Sequence, residues 1–240
     1  MNEEDVKKIY DGEYSPYNLP EELVIAIWTM FLASAESGFG GGVESFPKGS
    51  KLYNQALGYN NNTFFFSGAK TFQQMRELSG FLFDKNGNKV AWKDFLAKAL
   101  EINNKYYVTW LKVEMETAFH MAKNARAWMD FPDNAMLKYQ TQKDERVRPS
   151  HKAWDDLIYP KSDPFWNTHY PPNDWNCRGF VIPAIGGKRS LKKKIPQVDD
   201  KLFAVNPGKV PWVFNPKHPY FNVPKEFRAM QKTNFGIKKP

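Results

Sequence analysis

From Pro20 to Asp130 apolar residues return every three or four positions, the spacing that gathers side chains onto one face of an α-helix. The first run opens at Pro20-Glu21-Glu22 and closes near Ser37, before Phe39-Gly-Gly-Gly-Val43. Proline suits a helix start, and two carboxylates there meet the positive end of the helix dipole. A short helix is expected over Lys51–Tyr59, stopped by Asn60-Asn-Asn-Thr63. Residues 69–83 bring Phe72, Met75, Leu78 and Leu82 together, and Asp84-Lys-Asn-Gly-Asn88 then makes a turn. That turn lacks the alternating oxygen ligands and closing glutamate of a calcium loop. The pattern from Ala91 to Asp130 predicts a long central helix with a break near Asn103-Asn104, faced by Tyr107, Leu111, Met115, Ala118, Ala122, Ala125 and Met129. His120 lies beside that face and reads as a surface or core histidine rather than a ligand.

The period then changes from three-to-four to two. Leu137, Tyr139 and Thr141 alternate with Lys138 and Gln140, which predicts a strand over 136–142 with one buried side. Gly179–Pro183 reads as a second strand, and pairing the two would clamp everything between them. Residues 1–20, with Tyr14, Pro16, Tyr17 and Pro20, read as extended. Beyond Gly186-Gly187 proline punctuates the chain so often that an extended arm is expected, with short strands such as Val210–Phe214. The fold class is α+β: a helical N-terminal half (1–131) with a long central helix, a small loop-rich β unit (132–185), and an extended basic C-terminal arm (186–240).

Charge sharpens the last of these divisions. Residues 186–240 carry 13 Lys/Arg against 3 Asp/Glu, so the first 185 residues sum to −2 of the overall +8. A tail of that sign suits a polyanion or an acidic protein surface, with Lys188, Arg189, Lys192, Lys193 and Lys194 as candidate nucleic-acid contacts. The alternative is a solubilising tail. Aromatics at 16% and hydrophobics at 42% indicate a folded chain. The lone cysteine excludes an internal disulfide, the start MNEEDVKK is not a signal peptide, and the longest apolar run, Leu23–Ala35, falls short of the ~18 residues that span a bilayer. Synthesis in the cytoplasm and no membrane contact are expected. Gly40-Gly-Gly42 lacks the Lys-Ser/Thr of a phosphate loop.

Unusual chemistry is concentrated between residues 139 and 184. Asp144-Glu-Arg-Val-Arg-Pro-Ser-His151 mixes both signs of charge with an imidazole beside a proline, which suits an ordered turn. Asp163-Pro-Phe-Trp166 and His169-Tyr-Pro-Pro-Asn-Asp-Trp-Asn-Cys-Arg178 follow, and the two prolines of the latter forbid helix. Such a stretch stays ordered only if side chains replace the missing backbone hydrogen bonds. These three segments, in this order and spacing, resemble the signature of the phage Mu F-like minor head proteins, the head-morphogenesis proteins of tailed phages and prophages. A weaker likeness extends through TFQQMRELSGFL upstream and NPGKVPWVFNPKHPYF downstream. Many relatives follow the Cys-Arg pair with a second cysteine, where this chain has Gly179.

Several chemistries fit these residue types. His151, His169 and Cys177 are zinc-ligand types, with Asp144 or Asp155 as a fourth donor, and a structural zinc would order a proline-rich segment. The competing reading is a buried network of Asp144, Arg146, Arg148, His151, Asp163, Trp166, His169, Asn173, Cys177 and Arg178, the histidines bonding to backbone carbonyls and to Asp144 or Asp163. Arg146 and Arg148, alternating on extended backbone, would project to opposite sides, one of them pairing with Asp144, Asp155 or Asp163. Cys177 with His151 or His169 could form a nucleophile–base pair, although Cys177 enters a strand and gains no helix dipole. Trp154, Trp166 and Trp175, with Phe165 and Tyr170, read as a small aromatic core, or else as a stacking platform for single-stranded nucleic acid.

The resemblance implies a non-enzymatic minor capsid protein of the phage head, made in the bacterial host cytoplasm. Its implied partners are portal or capsid proteins and packaged double-stranded DNA, and its implied role is to support head assembly, packaging or ejection. A prophage-encoded metal- or Cys-dependent hydrolase of toxin-like character and a generic basic DNA-binding protein are the alternatives.

Overall fold

The computed structural model describes residues 1–191 and 194–240. The helical half contains α1 (Glu3–Asp11), α2 (Glu21–Phe39), α3 (Lys51–Ser79), α4 (Trp92–Asn103) and α5 (Leu111–Asp130), with a π-helical segment, Asn104–Trp110, joining the last two. The fold is α+β, as expected. Contacts gather the chain into two compact units. One comprises Met1–Leu32, Asn61–Glu114 and Pro216–Pro240, the other Ala33–Asn60 and Met115–Asn215.

Three helical expectations change. Residues 1–20 are not wholly extended, because Asn2 and Asp5 form a reciprocal capping box (Asn2 N to Asp5 Oδ2 3.0 Å, Asp5 N to Asn2 Oδ1 2.9 Å) that starts α1, and Gly12, at φ 86°, ends it. Asn60-Asn-Asn-Thr63 does not stop a helix. It lies inside the 29-residue α3, where Thr63, Phe66, Ser67, Ala69, Lys70, Thr71 and Phe72 are all fully buried. Burial on nearly every side outweighs a few tenths of a kcal/mol of unfavourable propensity per asparagine. The expected break near Asn103-Asn104 takes the form of the π-helical turn rather than an interruption.

The stretch Glu21–Ser45 is long and apolar enough to cross a membrane by length and hydropathy (mean 1.5), contrary to the sequence expectation. Its apolar positions are segregated. Val24, Ile27, Trp28, Phe31, Ala35 and Phe39 are buried at helical spacing, while Glu21, Glu22, Thr29 and Ser37 are exposed.

The strands sit in the second unit. There β1 (Met136–Gln140) lies between β2 (Ile158–Pro160) and β3 (Phe180–Pro183), antiparallel to both. Leu137 faces Tyr159 on one side and Pro183 on the other, while Tyr139 faces Val181. The expected pairing across the motif is therefore present, and the unforeseen β2 adds the third strand. Between β1 and β2 the chain makes α6 (Pro149–Trp154), with Pro149 at its first turn. Leu137, Tyr139, Trp154, Tyr159, Phe165, Trp166, Tyr170 and Val181 form one core beneath the sheet, and Trp175 packs against it. The expected aromatic core is thus built, and its buried rings are unavailable for stacking on bases.

Among the described residues past Gly187 the chain is extended and irregular, apart from short turns and α7 (Arg228–Lys232). Its apolar side chains are nonetheless buried: Val198, Phe203, Val213 and Phe214 in the second unit, and Tyr220, Val223, Phe227, Phe235 and Ile237 in the first. In the first unit Gly68 of α3 admits this segment at a distance no side chain would allow. A Cβ there would lie 2.0 Å from Asn234 Oδ1, while Asn234 Nδ2 donates to Phe64 O at 3.1 Å.

Candidate functional site

Asp144 begins the motif by folding the chain back on itself. Its Oδ1 accepts from Arg146 N at 3.1 Å and its carbonyl accepts from Val147 N at 3.3 Å, a turn of the kind aspartate favours. The carboxylate then takes both arms of Arg178, at 2.7 and 2.8 Å, a two-pronged pair that joins the entry of the motif to its exit. The Arg178 hydrogen bonds, offset in part by desolvation, hold the Asp144 carboxyl down at about 2. Arg148 uses Nε on Asp174 (2.9 Å) and Nη2 on the Trp175 carbonyl (2.9 Å). Because residues 144–148 turn rather than extend, Arg146 and Arg148 come to line the same cleft, not opposite sides. Of the expected carboxylates, Asp144 pairs loosely with Arg146 (3.8 Å), whereas Asp155 caps the Thr141 amide (2.7 Å) and Asp163 receives Arg189 (2.8 Å).

The two buried histidines have different settings. His169 directs Nε2 at the Pro196 carbonyl (3.0 Å) and Nδ1 at Thr168 Oγ1 (2.8 Å) and the Phe165 carbonyl (3.2 Å), with its ring stacked on Phe165 at 4.4 Å. The Pro196 carbonyl also accepts from Trp154 Nε1 at 2.9 Å. His151 stacks on Trp154 (4.8 Å, 24°) and places Nδ1 3.8 Å from Cys177 Sγ, while His169 meets the same indole edge-on (5.0 Å, 90°). Neither imidazole bonds to Asp144 or Asp163. Of the three proposed zinc ligands, the structure brings His151 and Cys177 together and leaves His169 with both nitrogens spent on protein oxygens. Among the described residues no three His, Cys, Asp or Glu side chains converge as a metal-holding group.

Cys177 is 4% exposed and its thiol is pushed up by burial, while burial and the Arg148 charge push His151 down. Both directions favour neutral thiol beside neutral imidazole, not the thiolate–imidazolium pair that makes a nucleophile. Gly179 leaves space beside this contact: a Cβ there would stand 2.8 Å from Tyr139 Oη and 3.5 Å from Cys177 Sγ.

Most of the remaining ties are side chain to backbone. Tyr139 Oη donates to Asn173 Oδ1 (3.0 Å), and Asn173 Nδ2 donates to the Thr168 (3.3 Å) and Tyr170 (3.4 Å) carbonyls. Trp166, fully buried, donates Nε1 to Pro160 O (3.1 Å), and its own carbonyl accepts from Asn206 Nδ2 (3.0 Å). Asp163 Oδ1 caps the Pro164–Asn167 turn through Phe165 N at 2.9 Å. The motif is thus stitched at both ends and through its middle.

Against it, on the side of α5, lies a cleft of about 540 Å³. Arg146, Arg148, Arg178, Pro172, Asp174, Asn176 and Cys177 line it from the motif, and Glu116, Thr117 and His120 from α5. Burial, then the Lys123 charge, push the His120 imidazole down, so it contributes a neutral ring. The sequence reading had Glu116, Thr117 and Asp174 in no role. Asp174 was within reach, since a half-buried arginine calls for a carboxylate, whereas nothing local marks Glu116, which lies in a different segment.

Of the basic residues after Gly187, Lys188 and Lys194 are exposed. Arg189 is exposed but paired with Asp163 and lies over the Tyr159 ring at 5.5 Å from its centroid. Lys192 and Lys193 lie outside the described residues.

Residues 85–182 match the family described as Phage Mu protein F like protein. The chain is 36% identical over 130 residues to the Mu-like prophage FluMu F protein of Haemophilus influenzae, covering 48% of this chain and 29% of that protein. It is 32% identical over 83 residues to the "Putative capsid assembly protein F" of Escherichia phage Mu, covering 34% and 19%. The aligned part spans less than a third of either relative. No solved structure matches the chain. The matched region contains α4, α5, β1, β2 and β3 up to Ile182, with the Asp144–Arg178 pair. Over residues 85–182 this chain is therefore similar to the phage Mu protein F-like proteins.

Proposed function

We propose that this chain is a minor component of a phage head, acting in head morphogenesis by docking onto the portal or inner capsid surface. The observation that carries the reading is the family match over a region that includes the loops from Asp144 to Arg178, where polar side chains rather than regular structure hold much of the backbone. A segment so tied presents loops in fixed positions, which suits a recognition surface needed in assembly. The neutral setting of Cys177 and His151 favours this over a thiol hydrolase. The exposed Lys188 and Lys194 supply cationic contacts for packaged DNA or for an acidic portal face.

The test is genetic and structural. In the phage or prophage that encodes it, deletion of the gene is expected to abolish normal heads in electron micrographs, with rescue by the wild-type chain in trans. Variants that unstitch the motif, such as Arg178→Ala, should fail to rescue, and tryptic peptides of the protein should appear in purified heads. Normal, infectious heads from the deletion would overturn the reading. For the DNA component, affinity for duplex DNA should fall linearly on a log–log plot against salt if phosphates are contacted, and a flat response would remove DNA from the model.

A further inference from the structure

The charges of the cleft between the motif and α5 are unevenly paired. Asp144 is saturated by the two arms of Arg178, and Arg148 is held by Asp174 and the Trp175 carbonyl. Among the described ion pairs Arg146 reaches only Asp144 Oδ2, the oxygen already held by Arg178 Nη1, at 3.8 Å, and its side chain is 72% exposed. Three guanidinium groups therefore share two carboxylates as close partners, and the weakest pairing falls on the one arginine whose planar fork is unused. Glu116, the remaining acid of the cleft, pairs with none of them among the described ion pairs.

We propose that this cleft is a receptor for a carboxylate presented by a partner protein, an acidic side chain or a chain terminus, with Arg146 as the two-pronged donor. Arg148 and Arg178 are fixed beside it and contribute field without surrendering their own partners. A guanidinium fork matches carboxylate geometry, and a concave site of this volume takes a side chain or terminus rather than a broad surface. Carboxylate is favoured over nucleic acid by the walls. Duplex DNA is a continuous ridge of charge, about one per 1.7 Å of axis, which would set phosphates against Asp174 and Glu116. A single carboxylate avoids both. The proposal deepens the assembly reading by naming the chemistry of the partner surface.

The experiment uses the full chain at low salt and a fluorescein-labelled tri-glutamate peptide, followed by fluorescence anisotropy, with a labelled short DNA duplex in parallel. Arg146→Gln is expected to weaken peptide binding about tenfold or more, and Arg146→Lys to recover only part of it, since an ammonium cannot make the two-pronged contact. Lys152→Gln, the same charge change at an exposed position of α6 outside the cleft, should leave binding within about twofold. Melting temperatures should be unchanged in all three. Equal losses in Arg146→Gln and Lys152→Gln, no measurable peptide binding, or loss of duplex binding alone in Arg146→Gln would each overturn the proposal. Because binding is read on the isolated chain, it stands or falls apart from the head role: a deletion phage with normal heads would leave a positive titration intact.

Discussion

The first unit buries an ion pair whose disruption has a calculable and pH-dependent cost. Lys70 of α3 and Glu114 of α5 meet at 2.8 Å with side chains 1% and 5% exposed, and Tyr220 Oη donates to the other Glu114 oxygen at 3.0 Å. The Lys70–Glu114 contact is an ion pair rather than an aligned hydrogen bond. The ammonium lies near the rings of Tyr106 (5.1 Å), Trp110 (6.0 Å) and Tyr220 (5.3 Å), which compensate part of its lost hydration. Glu114→Gln preserves shape and the tyrosine bond but strands the lysine. Breaking a buried pair from one side costs about 3–5 kcal/mol. At roughly 2–4 °C per kcal/mol for a chain of this size, the melting temperature should fall by about 6–20 °C in calorimetry at pH 7.

The cost is bounded by titration of the lysine. Burial already lowers the Lys70 pKa, and Glu114 is what opposes the fall, so the variant lowers it further. Between that depressed value and the ordinary 10.5, the unfolded chain binds more protons than the folded one, and stability rises with pH. The deficit of Glu114→Gln relative to wild type should therefore shrink as pH is raised from 7 to 10. The double variant Lys70→Met/Glu114→Leu, which removes both charges, should recover most of the loss. A melting temperature within about 2 °C of wild type for Glu114→Gln, or a deficit that grows with pH, would refute the reasoning.

The Asp144–Arg178 pair makes the motif acid-sensitive: with the carboxyl at about 2 in the fold against an ordinary 3.8, its contribution is full above pH 4 and is lost as pH falls toward 2, which near-ultraviolet circular dichroism of the motif tryptophans will follow. In Asp144→Asn that acid step should be smaller. Gly68→Ala forces a methyl against Asn234 and should destabilise by about 1–3 kcal/mol, read as earlier tryptic release of the C-terminal segment; unchanged protease resistance would count against the close approach. Elemental analysis should find substoichiometric metal, and a chelator should leave the melting curve in place, because oxygens of the chain already occupy both His169 nitrogens; one zinc per chain with a large chelator effect would favour the metal-stapled alternative.

The parts of the fold legible from sequence were those set by local period. Met136–Gln140 alternates and forms a strand, and the heptad-like run from Leu111 forms a helix. What failed did so where distant packing decides. Asn60–Asn62 are poor helix formers, yet Tyr59, Thr63, Phe64 and Phe66 around them are buried and the helix runs through them. The β2 strand of Ile158–Pro160 is three residues long, too short for any period to register, and exists because β1 offers it partners. In the site, Asp144 and Arg178 were each singled out, but their pairing spans 34 positions and no local rule connects them.

The same reasoning explains which polar atoms the motif leaves for a partner. A proline-rich stretch has few backbone bonds of its own, so nearly every polar side chain in it is recruited inward: Asn173 to two carbonyls and a phenol, His169 to two carbonyls and a hydroxyl, Asp163 to a turn amide and Arg189. A group doing structural work of that kind cannot be lent to a ligand without loosening the loop it holds. Arg146 is the exception among the arginines of the motif, because Asp144 is already satisfied by Arg178 and has little left to offer it. The rigidity of the rest is what fixes the backbone under Arg146, so a partner carboxylate would meet a guanidinium whose position is set before binding and whose only lost contact is a long one.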